Sequence, residues 1–180
     1  GFGEFLLSIK EISKNKINLF GSEPNTVKQN KAKKIGLDVN FIDLKSHKKK
    51  YDIISLLNVY SHLEDPPKFF SMIKKNLVKN GELLIQTGNT ADKEAKDHYR
   101  PFFLPDHISF ASEKILVNIL ERNNFEIIKI KKYPRINFNI ETTLKELIKY
   151  ISPFHKSNIH YFLKRNLYKE DDMFIRAKIK

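Results

Sequence analysis

Residues Tyr51 to Val59, YDIISLLNV, constrain the fold more than any other stretch of the chain. After Asp52 the run is nearly continuous in apolar residues, the pattern of a strand buried on both faces of a sheet. Asp65-Pro66-Pro67 then starts a helix with proline in its first turn. Phe69, Phe70, Ile73 and Leu77 fall on the core side of that helix. Asn80-Gly81 ends it and turns the chain into a strand over Glu82 to Thr87.

The rest of the chain keeps the same alternation, which argues for a mainly parallel sheet covered by helices. Glu4 to Ser13 places Phe5, Leu6, Ile9 and Ile12 at helical spacing. Ile17 to Gly21 reads as a short strand. Asn25 is the expected N-cap of a helix to Ile35 with Gly36 at its C-terminal cap, and Leu37 to Ile42 reads as a third strand. Residues Gly88 to His107 lack periodicity and read as a loop. Ser112 caps a helix to Arg122 that Asn123-Asn124 breaks, and Phe125 to Lys132 alternates as a strand. Residues 139–168 read as a helical insertion interrupted at Pro153, with Leu144, Leu147, Ile148 and Ile151 at helical spacing. Met173 to Ile179 reads as a closing strand.

Composition narrows the class. The 180 residues fit one domain, and 41% of them are apolar and spread throughout, so the chain reads as globular. The absence of cysteine excludes disulfides, thiolate metal sites and cysteine nucleophiles, and agrees with a reducing compartment. No apolar run approaches the roughly 20 residues that span a bilayer, and Phe5 to Ile9 is too short for a secretory signal. The expected location is cytoplasmic. The net charge of +12 invites an anionic partner. Only five of the 33 basic residues are arginine, however, whereas phosphate and base readout favours arginine forks. Lysine, isoleucine and asparagine rising together also fit a plain coding bias.

Four local sequences resemble the class I S-adenosylmethionine-dependent methyltransferases, most closely the subgroup acting on small molecules and sugars. Gly1-Phe2-Gly3-Glu4-Phe5 is similar to the second half of that family's glycine-rich loop, where the backbone approaches the cofactor. Glu23 ends a strand about 20 residues later, the spacing of a ribose-binding carboxylate; read alone, it is equally a turn acid beside Pro24. Tyr51 to Asn89 resembles the family's fourth strand, next helix and fifth strand in order and spacing. Pro105-Asp106-His107-Ile108-Ser109-Phe110-Ala111-Ser112 resembles the segment leading into the helix before the final antiparallel strands.

The resemblance implies a Rossmann-like, doubly wound α/β fold. Its sheet is mostly parallel, its last strand is antiparallel, and the helical insertion precedes that strand. A first strand with its acidic residue is expected upstream of Gly1. The implied cofactor is S-adenosylmethionine. It would be held by Gly1, Gly3 and Glu23, by Asp43 and Leu44 near the adenine, and by Asn58 near the methionine part; Asn58 alone equally fits a role in satisfying backbone groups.

Because the cofactor carries the activated group, the protein mainly binds, aligns and excludes water. A hydroxyl or carbon-acid acceptor adds the need for a general base, and histidine suits that role. His107 and His62 are the candidates. His107 equally fits a loop residue bonding backbone, and His62 a residue that steadies the loop after its strand. His47, His98, His155 and His160 show no metal-ligand spacing with carboxylates, so no metal is expected. The expected partner is a small-molecule acceptor, with a nucleotide-linked or polysaccharide sugar preferred. Two alternatives stand beside it. One is an RNA-modifying methyltransferase, suggested by the charge and by Lys149 to Asn166. The other is a non-catalytic methyltransferase fold kept as an interaction module. Oligomeric state is not legible in the sequence.

Overall fold

A computed structural model of the chain describes residues 1–94, 106–133 and 172–180. The expected insertion over 139–168, together with His98, Pro105, His155 and His160, lies outside the described residues. The chain packs as two compact units, Gly1–Lys48 and Lys49–Lys180.

The first unit opens with helix α1 (Glu4–Ile12), entered through Gly3 in the left-handed region at φ 95°. Strand β1 (Gly21–Ser22) pairs in parallel with β2 (Val39–Asn40), and helix α2 (Thr26–Lys34) joins them. Asn25 caps α2 as its side chain predicts: Oδ1 accepts from the Lys28 N–H at 3.1 Å. Lys31, Lys33 and Lys34 crowd the last turn, where the helix dipole favours cations. Gly36, at φ 78°, then takes the left-handed position that ends a helix. Ala32, Leu37 and Val39 form the core, with Leu6 and Leu7 against it. The strands are shorter than the apolar runs at Ile17–Gly21 and Leu37–Ile42 suggest. Only Gly21 and Ser22 find ladder partners, and Ile17 stays 55% exposed.

The second unit is a four-stranded sheet in the order β3-β4-β6-β5, formed by β3 (Tyr51–Leu57), β4 (Leu77–Gly88), β5 (Phe125–Tyr133) and β6 (Asp172–Ile179). β3 and β4 are parallel, while β6 runs antiparallel between β4 and β5. The closing strand is therefore antiparallel, as expected, and sits inside the sheet. Leu83, Ile85 and Thr87 lie opposite Ala177, Ile175 and Met173, and all six are buried. Helix α3 (Pro66–Lys75) buries Phe70 and Ile73, and α4 (Glu113–Arg122) buries Leu116 and Leu120.

Two features depart from the sequence reading. α3 stops at Lys75, short of Asn80-Gly81. Asn76 is buried, its main-chain carbonyl accepts from the Tyr51 N–H at 2.9 Å, and its Nδ2 donates to the Lys49 carbonyl at 3.0 Å. Those bonds commit Asn76 to β3 and end the helix. The turn at Asn80-Gly81 survives as an irregularity inside β4, with Asn80 at φ 64°. β3 itself is not buried on both faces. It pairs with β4 alone among the described residues, and Ile53 is 64% exposed. No helix among the described residues is long and apolar enough to cross a membrane.

Candidate functional site

In the first unit, β1 and β2 are parallel, so the residues following each leave the same carboxyl edge, where open α/β sheets bind ligands. Glu23 follows β1 directly and is only 8% exposed. Its main chain is tied on both sides. The N–H donates to the Asn40 carbonyl at 3.1 Å, and the carbonyl accepts from Gln29 Nε2 at 2.6 Å. Its Oε1 accepts from the Asn25 N–H at 3.0 Å. Burial pushes the Glu23 carboxyl up, whereas the Asn25 N–H and Lys28 pull it down. Glu23 is thus a fixed, buried carboxylate.

Gly3 has no room for a side chain, since a Cβ there would lie 2.5 Å from Leu37 Cδ1. Gly1 and Glu23 are brought together. Asp43, three residues beyond β2, is exposed, and its carboxylate is spent on a local turn. Oδ1 accepts from the Lys45 N–H at 3.0 Å and Oδ2 from Ser46 Oγ at 3.1 Å. Leu44 is half-buried within that turn.

In the second unit, Asn58 follows β3 in the left-handed region at φ 55°, a position asparagine tolerates better than most residues. Its N–H donates to the Gln86 carbonyl at 2.9 Å, so β4 anchors it. A single 3₁₀ turn, Tyr60–His62, comes next. There the segment preceding α4 is stitched to the loop after β3. The Ser61 carbonyl accepts from the N–H groups of Ile108 and Ser109 at 2.8 and 3.1 Å, and Ser109 Oγ donates to the Leu63 carbonyl at 2.6 Å. The other end of the segment meets Asn89–Ala91. The Ala111 carbonyl accepts from Thr90 and Ala91, and Asn89 Oδ1 accepts from the Glu113 N–H at 3.0 Å.

These bonds bring the imidazoles of His62 and His107 to 5.1 Å between centroids, edge to face. The Asp106 carboxylate reaches toward both. One oxygen is 3.6 Å from His62 Nδ1 and the other 3.9 Å from His107 Nε2. The two histidines were legible as candidates separately. Their convergence and the part of Asp106 were not, because 44 residues separate His62 from Asp106 and no local spacing joins them.

The first unit alternates helix and strand with a buried carboxylate directly after β1 and a left-handed glycine before α1, and the second adds the parallel strands β3 and β4, so both belong to the α/β class. Residues 1–130 match the family described as Methyltransferase domain, and the chain belongs to that family, the class I S-adenosylmethionine-dependent methyltransferases. Over 144 residues, 72% of the chain, it is 29% identical to the ubiquinone biosynthesis O-methyltransferase of Pelagibacter ubique (strain HTCC1062). The chain spans 58% of that relative's length. Among solved structures it resembles a SAM-dependent methyltransferase from Archaeoglobus fulgidus, at 23% identity and a TM-score of 0.64, covering 99% of this chain and 82% of the other. It also resembles geranyl diphosphate methyltransferase in complex with SAM, at 10% identity and a TM-score of 0.71, covering 100% and 75% respectively.

Proposed function

We propose that residues 1–180 act as one methyltransferase domain that uses S-adenosylmethionine to methylate a hydroxyl of a small-molecule acceptor. The observation that carries this reading is the convergence of His62 and His107 just after β3, in a chain of this family. The cofactor supplies a methyl group already activated on a sulfonium, so the chain's own task is to bind, align and manage one proton.

The residues present fit the cofactor. The fixed Glu23 carboxylate suits paired ribose hydroxyls, Gly1 offers open backbone, and Gly3 supplies the left-handed turn into α1. Asp43 and Leu44 are assigned to the adenine side and Asn58 to the methionine part. On the acceptor side, a carbonyl oxygen can only accept, so the 2.8 Å contact to the Asp106 carbonyl makes His62 Nδ1 an N–H donor, and in the neutral ring the lone pair then lies on Nε2. An imidazole held in one tautomer is a prepared proton acceptor. His107 is the second, inside the segment that resembles the sugar-directed subgroup.

The Pelagibacter relative is named an O-methyltransferase, which favours an oxygen acceptor. A nucleotide-linked or polysaccharide sugar hydroxyl is the finer choice, resting on the likeness of residues 105–112. The test is calorimetry with S-adenosylhomocysteine together with labelled-methyl transfer across hydroxyl acceptors, sugars included. Glu23→Ala removes a charge-assisted contact and is expected to cost about 1.5–3 kcal/mol of cofactor affinity. Unchanged affinity would remove Glu23 from the site, and no transfer to any hydroxyl would remove the acceptor class.

A further inference from the structure

We propose that His62, Asp106 and His107 form a binding site for one divalent first-row transition-metal ion, of which Zn²⁺ is the type. One ligand atom from each of the three side chains lies within 4.8 Å of the others. Asp106 stands between the rings, with a separate oxygen directed to each.

The donor set selects the ion. Two imidazoles and a carboxylate suit zinc, cobalt, nickel, manganese or ferrous iron, whereas magnesium and calcium prefer oxygen throughout. Ligand atoms about 2.0–2.2 Å from a tetrahedral metal sit about 3.4 Å from one another. The cluster must therefore contract by up to about 1.4 Å. The side chains can supply that movement, because they are 45% (His62), 73% (Asp106) and 31% (His107) exposed. Ser61 and Leu63 hold Ile108 and Ser109 through three hydrogen bonds of 2.6–3.1 Å, so the ligands hang from a fixed frame.

The Asp106 carbonyl at His62 Nδ1 has a second use here. Metal-binding histidines commonly give their other ring N–H to a backbone carbonyl, which orients the ring. That leaves Nε2 as the ring atom through which His62 would hold the ion.

Three protein ligands leave coordination positions open, the arrangement of catalytic rather than structural metal sites. Resting on the methyl-transfer reading, those positions would take the acceptor's oxygen. The ion, in place of an imidazole, would then lower the hydroxyl's pKa. Binding of the ion itself depends on the three side chains alone and stands apart from that reading.

The experiment uses the full chain stripped of metal. Zn²⁺ is titrated by calorimetry and Co²⁺ by visible absorption. The expected result is one ion per chain, with Co²⁺ ligand-field bands that disappear in His62→Ala and in His107→Ala. Zn²⁺ affinity should fall at least about tenfold in each variant and in Asp106→Asn, and stay unchanged in His47→Ala. Circular dichroism shows whether each variant is folded, and Asp106→Asn keeps the side chain's shape where an alanine variant fails. No ion bound by the parent chain, or the same stoichiometry and affinity in both folded histidine variants, overturns the site. S-adenosylhomocysteine binding on the same samples separates the two proposals. Cofactor bound without metal overturns this site alone. Metal bound without cofactor supports this site and overturns the methyl-transfer reading.

Discussion

The Nδ1–H of His62 donates to the main-chain carbonyl of Asp106 across 2.8 Å, tying the turn after β3 to the residue preceding His107. One bond thus sets the tautomer of one candidate base and the place of the other. If His107 orients or deprotonates the acceptor, His107→Ala should lower turnover by about 10²–10⁴-fold. Cofactor affinity should stay nearly intact, since the residues assigned to the cofactor lie on other loops. A purely structural role would instead lower thermal stability, with activity falling only in proportion to folded protein. Steady-state kinetics beside thermal melts distinguishes the two.

Asn58 separates backbone from side chain. Its φ of 55° is natural for asparagine or glycine and strained for alanine. Asn58→Gly should therefore keep most of the parent's stability, whereas Asn58→Ala should lose about 1–2 kcal/mol in urea titrations. If the side chain contacts the cofactor, both variants lose S-adenosylhomocysteine affinity alike. Full affinity in Asn58→Gly would leave the residue a backbone role only.

The two glycines of the opening loop should respond differently to alanine. A Cβ on Gly3 meets Leu37 Cδ1 at 2.5 Å and sits on a left-handed backbone, while a Cβ on Gly1 finds its nearest atom at 3.9 Å. Gly3→Ala should cost about 1–2 kcal/mol from the backbone alone, with the contact against buried Leu37 adding to it. Gly1→Ala should be close to neutral in the same denaturant titration. Equal losses would show that the conformation of Gly3 is not required.

On the sheet of the second unit, Arg176 donates to both oxygens of Glu82, at 2.6 and 2.7 Å. This two-pronged bond from Arg176, first among the causes, holds the Glu82 carboxyl below its ordinary value of 4.5. A folded-state value below the unfolded one stabilises above pH 4.5, and that contribution is lost as pH falls through the folded value. Thermal melts from pH 7 down to pH 3 should therefore show a larger fall for the parent than for Glu82→Gln. The difference should be modest, because the pair is exposed and screened, and smaller still in high salt. Parallel curves would show that the pair contributes nothing to folding.

Local chemistry accounts for most of what could be read before the fold was seen. The caps at Asn25, Asp65 and Ser112 each accept from the N–H three residues on, at 3.1, 3.0 and 3.4 Å. That interaction lies wholly within one turn of chain, so the sequence displays both partners side by side. The same holds for Gly36 and Asn124, whose left-handed backbones end α2 and α4. Glu23 was legible as a candidate because its distance from Gly3 reflects the span of a helix and a short strand.

Where partners are distant, the sequence showed less. The apolar runs at Ile17–Gly21 and Leu37–Ile42 promise strands, but a strand exists only where another chain segment offers its N–H and C=O groups, and that happens at Gly21 with Ser22 just beyond the first run, and at Val39 and Asn40 in the second. The end of α3 rests on bonds from Asn76 to Lys49 and Tyr51, some 25 residues back. By itself the sequence determined the helices with their caps, the alternation of helix and strand, and the family, because those are written in neighbouring residues and short spacings. Only the tertiary structure decided how far each strand pairs, that β6 enters between β4 and β5, and that His62, Asp106 and His107 meet. Those are contacts between segments far apart in the chain, made when the backbone's hydrogen-bonding groups and apolar faces find partners that no local pattern names.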